Sequence, residues 1–269
     1  MFGLSISWAR LPPGFGARRV SSDATTRLAA AVVGVVVLVG LWHLAGTRAW
    51  FGGAVPTPGA VWSTMTEPVN RRLFRRAVAA TLPRTAWGLA FGGGAALALA
   101  IAPVLAPQAS RTVQRVAATV QALPVIVLGP VLVSLVSADR VPVIIAALAS
   151  FFAMFVPATA ALSSVRDAHL DYMASAGASR VQRLLRLHLP AAAPGIATGL
   201  RLAAPAAILG AVFGEWFGAD TGLGPVLVTS MRNVRIPMLW SCALIITAMS
   251  AIGYGVGTLL ELRARSMVR

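Results

Sequence analysis

The residues best placed to do work lie in one polar stretch between two long apolar ones. It reads Asp171-Tyr172-Met173-Ala174-Ser175-Ala176-Gly177-Ala178-Ser179, then Arg180-Val181-Gln182-Arg183-Leu184-Leu185-Arg186, then Leu187-His188-Leu189-Pro190. Its chemistry is that of docking. From Ala174 to Arg186 the pattern predicts a short amphipathic helix. Val181, Leu184 and Leu185 form an apolar strip, and Arg180, Arg183 and Arg186 repeat every three residues beside it. The strip suits a groove on a soluble partner, and the Arg side chains suit an acidic rim or anionic lipid. Gly177 permits a sharp turn that a Cβ would resist. Pro190 cannot continue a hydrogen-bonded helix, so it is predicted to mark where the stretch ends and the next long helix begins. Taken alone, the pattern also fits a basic loop that hugs a membrane.

A second set of candidates lies inside the apolar runs. A charge at the centre of a membrane helix costs about 2.5–3.5 kcal/mol, so such a residue is a functional candidate by default. Arg201 and Glu215 qualify. Their separation along a helix is about 21 Å, so they cannot pair within it. Arg201 is near one end and can snorkel to headgroups. Glu215 precedes a Gly-rich turn, where it lines an outer mouth, touches a binding protein or is simply exposed. Gln121, Pro124, Gly129 and Pro130 share one apolar run. Proline frees backbone carbonyls, which is tolerated where they face protein or a water-filled path. A bent helix there lines a pathway or only accommodates packing.

The elements that must carry these residues are membrane spans. The chain has 269 residues, 57% hydrophobic and 12% charged, with a mean hydropathy of +0.78. A soluble domain is about 25% charged, so an ordinary soluble enzyme and a disordered chain are both excluded. All 23 basic residues are Arg, against 8 acidic ones, for a net charge of +15. Without Lys there is no Walker A lysine and no Schiff base. The single Cys, Cys242, excludes an internal disulfide and a cysteine-rich metal centre. His43, His169 and His188 are far apart, which argues against zinc. The Arg residues sit between apolar stretches, as in proteins that orient themselves in a bilayer, so no nucleic-acid partner is expected.

Six segments have the roughly 20 residues needed to cross about 30 Å of hydrocarbon. They are 28–46, 85–107, 116–137, 141–163, 196–218 and 238–260. The fold class is therefore an all-α polytopic helix bundle. Residues 1–27 read as a basic cytoplasmic segment rather than a signal peptide, since Arg10, Arg18, Arg19 and Arg27 interrupt any apolar core. Residues 28–269 form the membrane domain, with a core at 75–262 and a long loop at 164–193. With the N-terminus inside, thirteen Arg fall on the inner side and eight on the outer, which favours both termini inside. The run Arg71-Arg72-Leu73-Phe74-Arg75-Arg76 is expected on a short interfacial helix, with Leu73 and Phe74 toward lipid. Gly88/Gly92, Gly195/Gly199, Gly210/Gly214 and Gly253/Gly257 are spaced for close helix packing.

The loop resembles that of permease subunits of bacterial ABC importers. Their motif is Glu-Ala-Ala, three residues, Gly, nine residues, Ile, one residue, Leu-Pro. Here Asp171 takes the acidic place, Gly177 the glycine, Leu187 the Ile place and Leu189-Pro190 the Leu-Pro. Tyr172 and Met173 replace the two alanines. The chain is most similar to the nitrate/sulfonate/taurine branch. Val55-Pro56-Thr57-Pro58-Gly59-Ala60-Val61-Trp62, Thr81-Leu82-Pro83-Arg84 with Gly88, Pro194-Gly195-Ile196 with Gly199-Leu200-Arg201, and Glu215-Trp216-Phe217-Gly218 with Gly222-Leu223-Gly224 carry that likeness.

The resemblance implies a type I importer transmembrane domain and transport rather than enzymatic function. ATP and Mg would be bound by a separate ABC ATPase dimer in the cytosol, and this chain would hold no cofactor. Further implied partners are a second permease, identical or not, an extracytoplasmic substrate-binding protein and the lipid of the bacterial inner membrane. Asp171, Ala174, Gly177, Ala178, Arg180, Leu184, Leu187, Leu189 and Pro190 would form the ATPase-coupling loop. Gln121, Pro124 and Glu215 would lie on the pathway or its outer mouth. The branch implies a small anion such as a sulfonate, taurine or nitrate, or a vitamin precursor. The alternative is a secondary transporter driven by an ion gradient, which needs an ionisable group near mid-membrane.

Overall fold

Long apolar runs in lipid must satisfy every N–H and C=O internally, and a helix does so. The computed structural model describes residues 24–122 and 124–267. Its elements are α1 (Ala24–Thr47), a 3-10 turn (Trp50–Gly53), α2 (Pro58–Thr66), α3 (Pro68–Leu105), α4 (Ser110–Ala122), α5 (Val125–Leu135), α6 (Val141–Leu162), α7 (Asp167–Ser175), α8 (Arg180–Arg183), α9 (Leu189–Glu215), α10 (Leu223–Arg232) and α11 (Ile236–Met267). There is no strand among the described residues. Among the described residues, five helical segments are long and apolar enough to cross a membrane: Ala29–Thr47, Pro68–Leu105, Val141–Leu162, Arg180–Glu215 and Ile236–Ser266.

The centre of the bundle is α6, with α3 and α9 packed along it and α11 packed along α9. They meet through residues that carry almost no side chain. Ala96, Ala146, Ala158, Ala203, Ala207 and Ala211 are all 0% exposed. Lipid supplies no hydrophobic drive between helices, so close backbone approach and its dispersion contacts must hold them. A Cβ on Gly88 would fall on Ala146 Cβ, and one on Gly92 would fall on Ala147 O. Gly195, Gly199, Gly210 and Gly214 also face α6, while Gly253 and Gly257 face α9. All four glycine pairs therefore mark helix crossings. At its C-terminal end, α1 is tied on by Trp42, which stacks on Trp240 at 5.7 Å and donates from Nε1 to Pro56 O at 2.8 Å.

Four sequence expectations change. The run 116–137 is not one span: α4 ends at Ala122 and α5 starts at Val125, with Pro124 extended between them (φ −71, ψ 97). Proline lacks the N–H and drives its predecessor out of the α region. The pieces have 13 and 11 residues, and neither reaches the roughly 30 Å required. Among the described residues the continuous spans therefore number five rather than six.

The basic run at 71–76 does not form its own interfacial helix. It is the start of α3, whose 38 residues extend for about 57 Å and so overshoot the hydrocarbon. Phe74, expected toward lipid, is 5% exposed and packs with Ile208, Val212, Leu223 and Ile246.

Pro190 is not a boundary. The helix runs on from Arg180 to Glu215 because Leu184–His188 widens into a π turn, where the Leu189 N–H bonds to Leu184 O. The extra residue in the turn absorbs the ring that would otherwise strike the carbonyl four residues back. The separate short helix lies upstream instead, as α7. The expected strip is also split, with Leu184 buried and Val181 and Leu185 exposed. The basic leader residues Arg10, Arg18 and Arg19 lie outside the described residues.

Candidate functional site

Two local signals in sequence build the hairpin between α6 and α9. The first ends α7. Ala178 N–H bonds to Met173 O at 2.9 Å and Gly177 N–H to Ala174 O at 3.0 Å, the paired bonds of a Schellman close. That close needs a left-handed residue, and Gly177 has φ +73. The second starts α8. Ser179 accepts from Gln182 N–H at 3.3 Å, and Gln182 Oε1 accepts from Ser179 N–H at 2.8 Å, a reciprocal capping box. Only residues 176–179 separate the two helices, and every turn of that joint is bonded.

The hairpin stands clear of the bundle. No residue of α7 is buried, and Tyr172 is 75% exposed. Asp171, Ala174 and Gly177 are exposed, and Ala178 is half-buried. A Cβ at Gly177 would meet nothing within 4 Å. The foot, by contrast, is anchored. Leu184 is buried in the main core with Phe155, Ala158 and Leu162. His188 Nδ1 lies 3.0 Å from Leu162 O, and Arg180 Nη1 donates to Leu105 O at the C-terminus of α3 at 3.0 Å. A cation there also suits the negative end of the α3 dipole. Leu187 and Leu189 are half-buried and Pro190 is exposed.

At the far end of the same helix lies a buried acid. Glu215 is 1% exposed. Its carboxylate accepts from Thr81 Oγ1 at 2.8 Å, Arg84 Nη1 at 3.1 Å and Gly224 N–H at 2.9 Å. Thr81 Oγ1 in turn accepts from Leu223 N–H at 3.0 Å. Arg84 also reaches Thr221 O and, through Nη2, Asp139 at 3.1 Å. One carboxylate thus joins α3, α9 and the turn into α10, while Arg84 links them to the loop before α6. Gly222 (φ +129) permits this turn, since a Cβ there would strike the carboxylate. The expectation of an open acid at an outer mouth is therefore corrected: the turn folds over Glu215 and encloses it. Gln121 and Pro124 lie exposed on the broken α4–α5 segment and do not join this cluster.

Arg201 also differs from the expectation of a headgroup-seeking side chain. It pairs with Glu261 of α11 at 2.9 Å and stacks over Tyr254 at 5.1 Å. Arg265 closes on the same carboxylate at 2.6 Å. Sequence reasoning missed Thr81, Arg84 and Glu261 as partners. Each lies beside a different apolar run from the charge it meets, so no local pattern links the partners.

A bundle of long apolar helices defines an integral membrane protein, and its one described outward-standing hairpin is anchored at the foot. The model of the family described as "Binding-protein-dependent transport system inner membrane component" matches residues 94–266, and the chain belongs to that family. It is an ABC importer permease subunit embedded in a membrane. A probable ABC transporter permease protein of Haemophilus influenzae is 29% identical over 228 residues, 83% of this chain and 90% of its own length. The formylaminopyrimidine transport permease protein ThiX of Halalkalibacterium halodurans is 27% identical over 231 residues, 84% and 90% of the two chains. The riboflavin transport system permease protein RibX of Chloroflexus aurantiacus is 26% identical over 163 residues, 60% and 56%. A chain of the MetNI methionine ABC transporter, solved in inward-facing conformations, shares the fold. Its TM-score is 0.61 at 18% identity, covering 76% of this chain and all of that one.

Proposed function

We propose that this chain forms the path by which a small solute moves inward by alternating access, driven by a separate pair of ATPase subunits. The observation that supports this best is the α7–Gly177–α8 hairpin. It is exposed at its tip, anchored at its foot and continuous with the helix that ends at Glu215. ATP binding draws the ATPase pair together, and α7 sits in a groove on the ATPase and follows it. The Arg180–Glu215 segment has 36 residues and is about 54 Å long, so a tilt at its foot becomes a displacement at the Glu215 end. Asp171, Ala174, Gly177 and Ala178 act at the docked tip. Arg180, Leu184, Leu187, Leu189 and Pro190 form the lever's foot.

In this reading the hairpin and both termini face the cytosol, and the membrane is the bacterial inner one. The Glu215 end faces an extracytoplasmic binding protein, and a second permease, identical or not, completes the path. The gradient-driven alternative is disfavoured by the family. Between the two substrate classes implied by the sequence, we favour a vitamin precursor with a heteroaromatic ring over a small anion, because ThiX and RibX are named for such solutes.

Uptake of labelled formylaminopyrimidine, riboflavin and taurine by cells with and without this chain tests the reading. One vitamin-class label should depend on the chain and on ATP. Loss of taurine uptake alone would restore the anion, and uptake that survives inactivation of the ATPase would restore the secondary transporter.

A further inference from the structure

A cavity of about 360 Å³ opens at the foot of the hairpin, lined by Val104, Pro107, Leu170, Arg180, Arg183 and His188. A water takes up about 30 Å³ in the liquid, so the space admits a much larger group. Its polar lining is cationic or imidazole, and no carboxylate lines it. Arg180 spends one Nη on Leu105 O, which fixes its head at the wall and leaves other donors free. Arg183 Nε is fully covered and has no partner among the described residues. His188 is 9% exposed, and a carbonyl can only accept, so Nδ1 is its donor to Leu162 O. Its Nε2 makes no hydrogen bond to protein among the described residues. None of the three side chains joins an ion pair among the described residues.

A covered charged donor without a partner, such as Arg183 Nε, is costly. We propose that this cavity is a binding site for a phosphate-class oxyanion that carries a hydroxyl. The Arg180 and Arg183 guanidinium groups donate to the oxyanion. The hydroxyl donates to Nε2 of His188. Hydrogenphosphate has both features, and so does the headgroup of phosphatidylglycerol. The lining comes from the end of α3 and its connection to α4, from α7, and from α8 with the π turn that follows it, so an occupant bridges all three. Occupancy therefore stiffens the hairpin against the end of α3. Neither the transported solute nor the ATPase enters this inference.

Hydrogen–deuterium exchange of residues 170–189 tests it on the full chain in nanodiscs. Three conditions are compared: phosphatidylcholine alone, phosphatidylcholine with phosphatidylglycerol, and phosphatidylcholine with inorganic phosphate against chloride at equal ionic strength. A site filled at ten times its dissociation constant slows exchange through its opening about tenfold. Slowing by lipid alone assigns a headgroup, and slowing by phosphate alone assigns a soluble anion. Both ligands slowing it means that the site takes either. No slowing by either ligand overturns the proposal. So does slowing that persists in the Arg180→Gln/Arg183→Gln double variant. If that variant does not fold, native mass spectrometry of the wild-type chain decides. Retention of phosphatidylglycerol, or of phosphate, over phosphatidylcholine after delipidation supports the site. Equal loss of all three rejects it.

Discussion

The Glu215 carboxylate accepts from Thr81 Oγ1 at 2.8 Å, across 134 residues of chain. That bond joins the middle of α3 to the last residue of α9, and the same carboxylate holds the turn into α10 through Gly224. Removing one partner of a buried charge cluster costs about 3–5 kcal/mol, because the other charge stays behind unpaired. Glu215→Ala removes the carboxylate that three groups share and leaves Arg84 only the exposed Asp139 and Thr221 O, so it should lower the thermal midpoint of the detergent-purified chain most. Thr81→Val loses a single hydroxyl and should cost about 1–3 kcal/mol. Equal midpoints for wild type and Glu215→Ala would show that the cluster is not holding the helices.

At Gly177 the penalty for substitution is conformational alone, since a Cβ there meets nothing. A left-handed backbone costs an L-residue about 1–2 kcal/mol, and Asn bears it better than a β-branched residue. Gly177→Asn should therefore retain more uptake per inserted molecule than Gly177→Val. The reverse order would mean that the glycine is needed for space against the partner.

Helix approach gives a third contrast. Overpacking a tight contact costs about 1–3 kcal/mol. Gly92→Val drives a side chain into Ala147 O and Ser150 Oγ, so its folded fraction on size-exclusion chromatography should fall. Gly94 faces open space two residues on. In the isolated chain, Gly94→Ala should be neutral or stabilising by about 0.5–1 kcal/mol, from helix entropy.

The Arg201–Glu261 pair predicts non-additivity. Arg201→Leu removes one of two cations from a carboxylate whose side chain is 5% exposed, with an expected loss of about 1.5–3 kcal/mol. Adding Glu261→Leu should recover part of it, because Arg265 is 62% exposed and can turn to headgroups. Strictly additive losses in a double-mutant cycle would contradict the pairing.

What was legible in the sequence follows from the range of each signal. Hydropathy is local, so the long apolar helices and their glycine faces were readable. The Gly177 turn was readable too, because a Schellman close is written within six residues. The broken third span misled because its apolar run continues across Pro124, and hydropathy does not register a missing N–H. Pro190 misled in the opposite direction, since a π turn formed by its neighbours removed the clash it should have caused. Glu215 is a long-range case. Its partners Thr81 and Arg84 lie more than 130 residues away, and nothing adjacent in sequence shows that a buried acid has been satisfied.

The account rests on α7 being the part that the ATPase holds. Tyr172→Cys places a thiol on an α7 side chain that is 75% exposed, and the native Cys242 is buried. In the assembled transporter, a short thiol-to-amine cross-linker on the new thiol should join this chain to the ATPase subunit, with a yield that changes when ATP is added. A complex that hydrolyses ATP and transports its solute, yet gives no such cross-link from this position in any nucleotide state, would contradict the account.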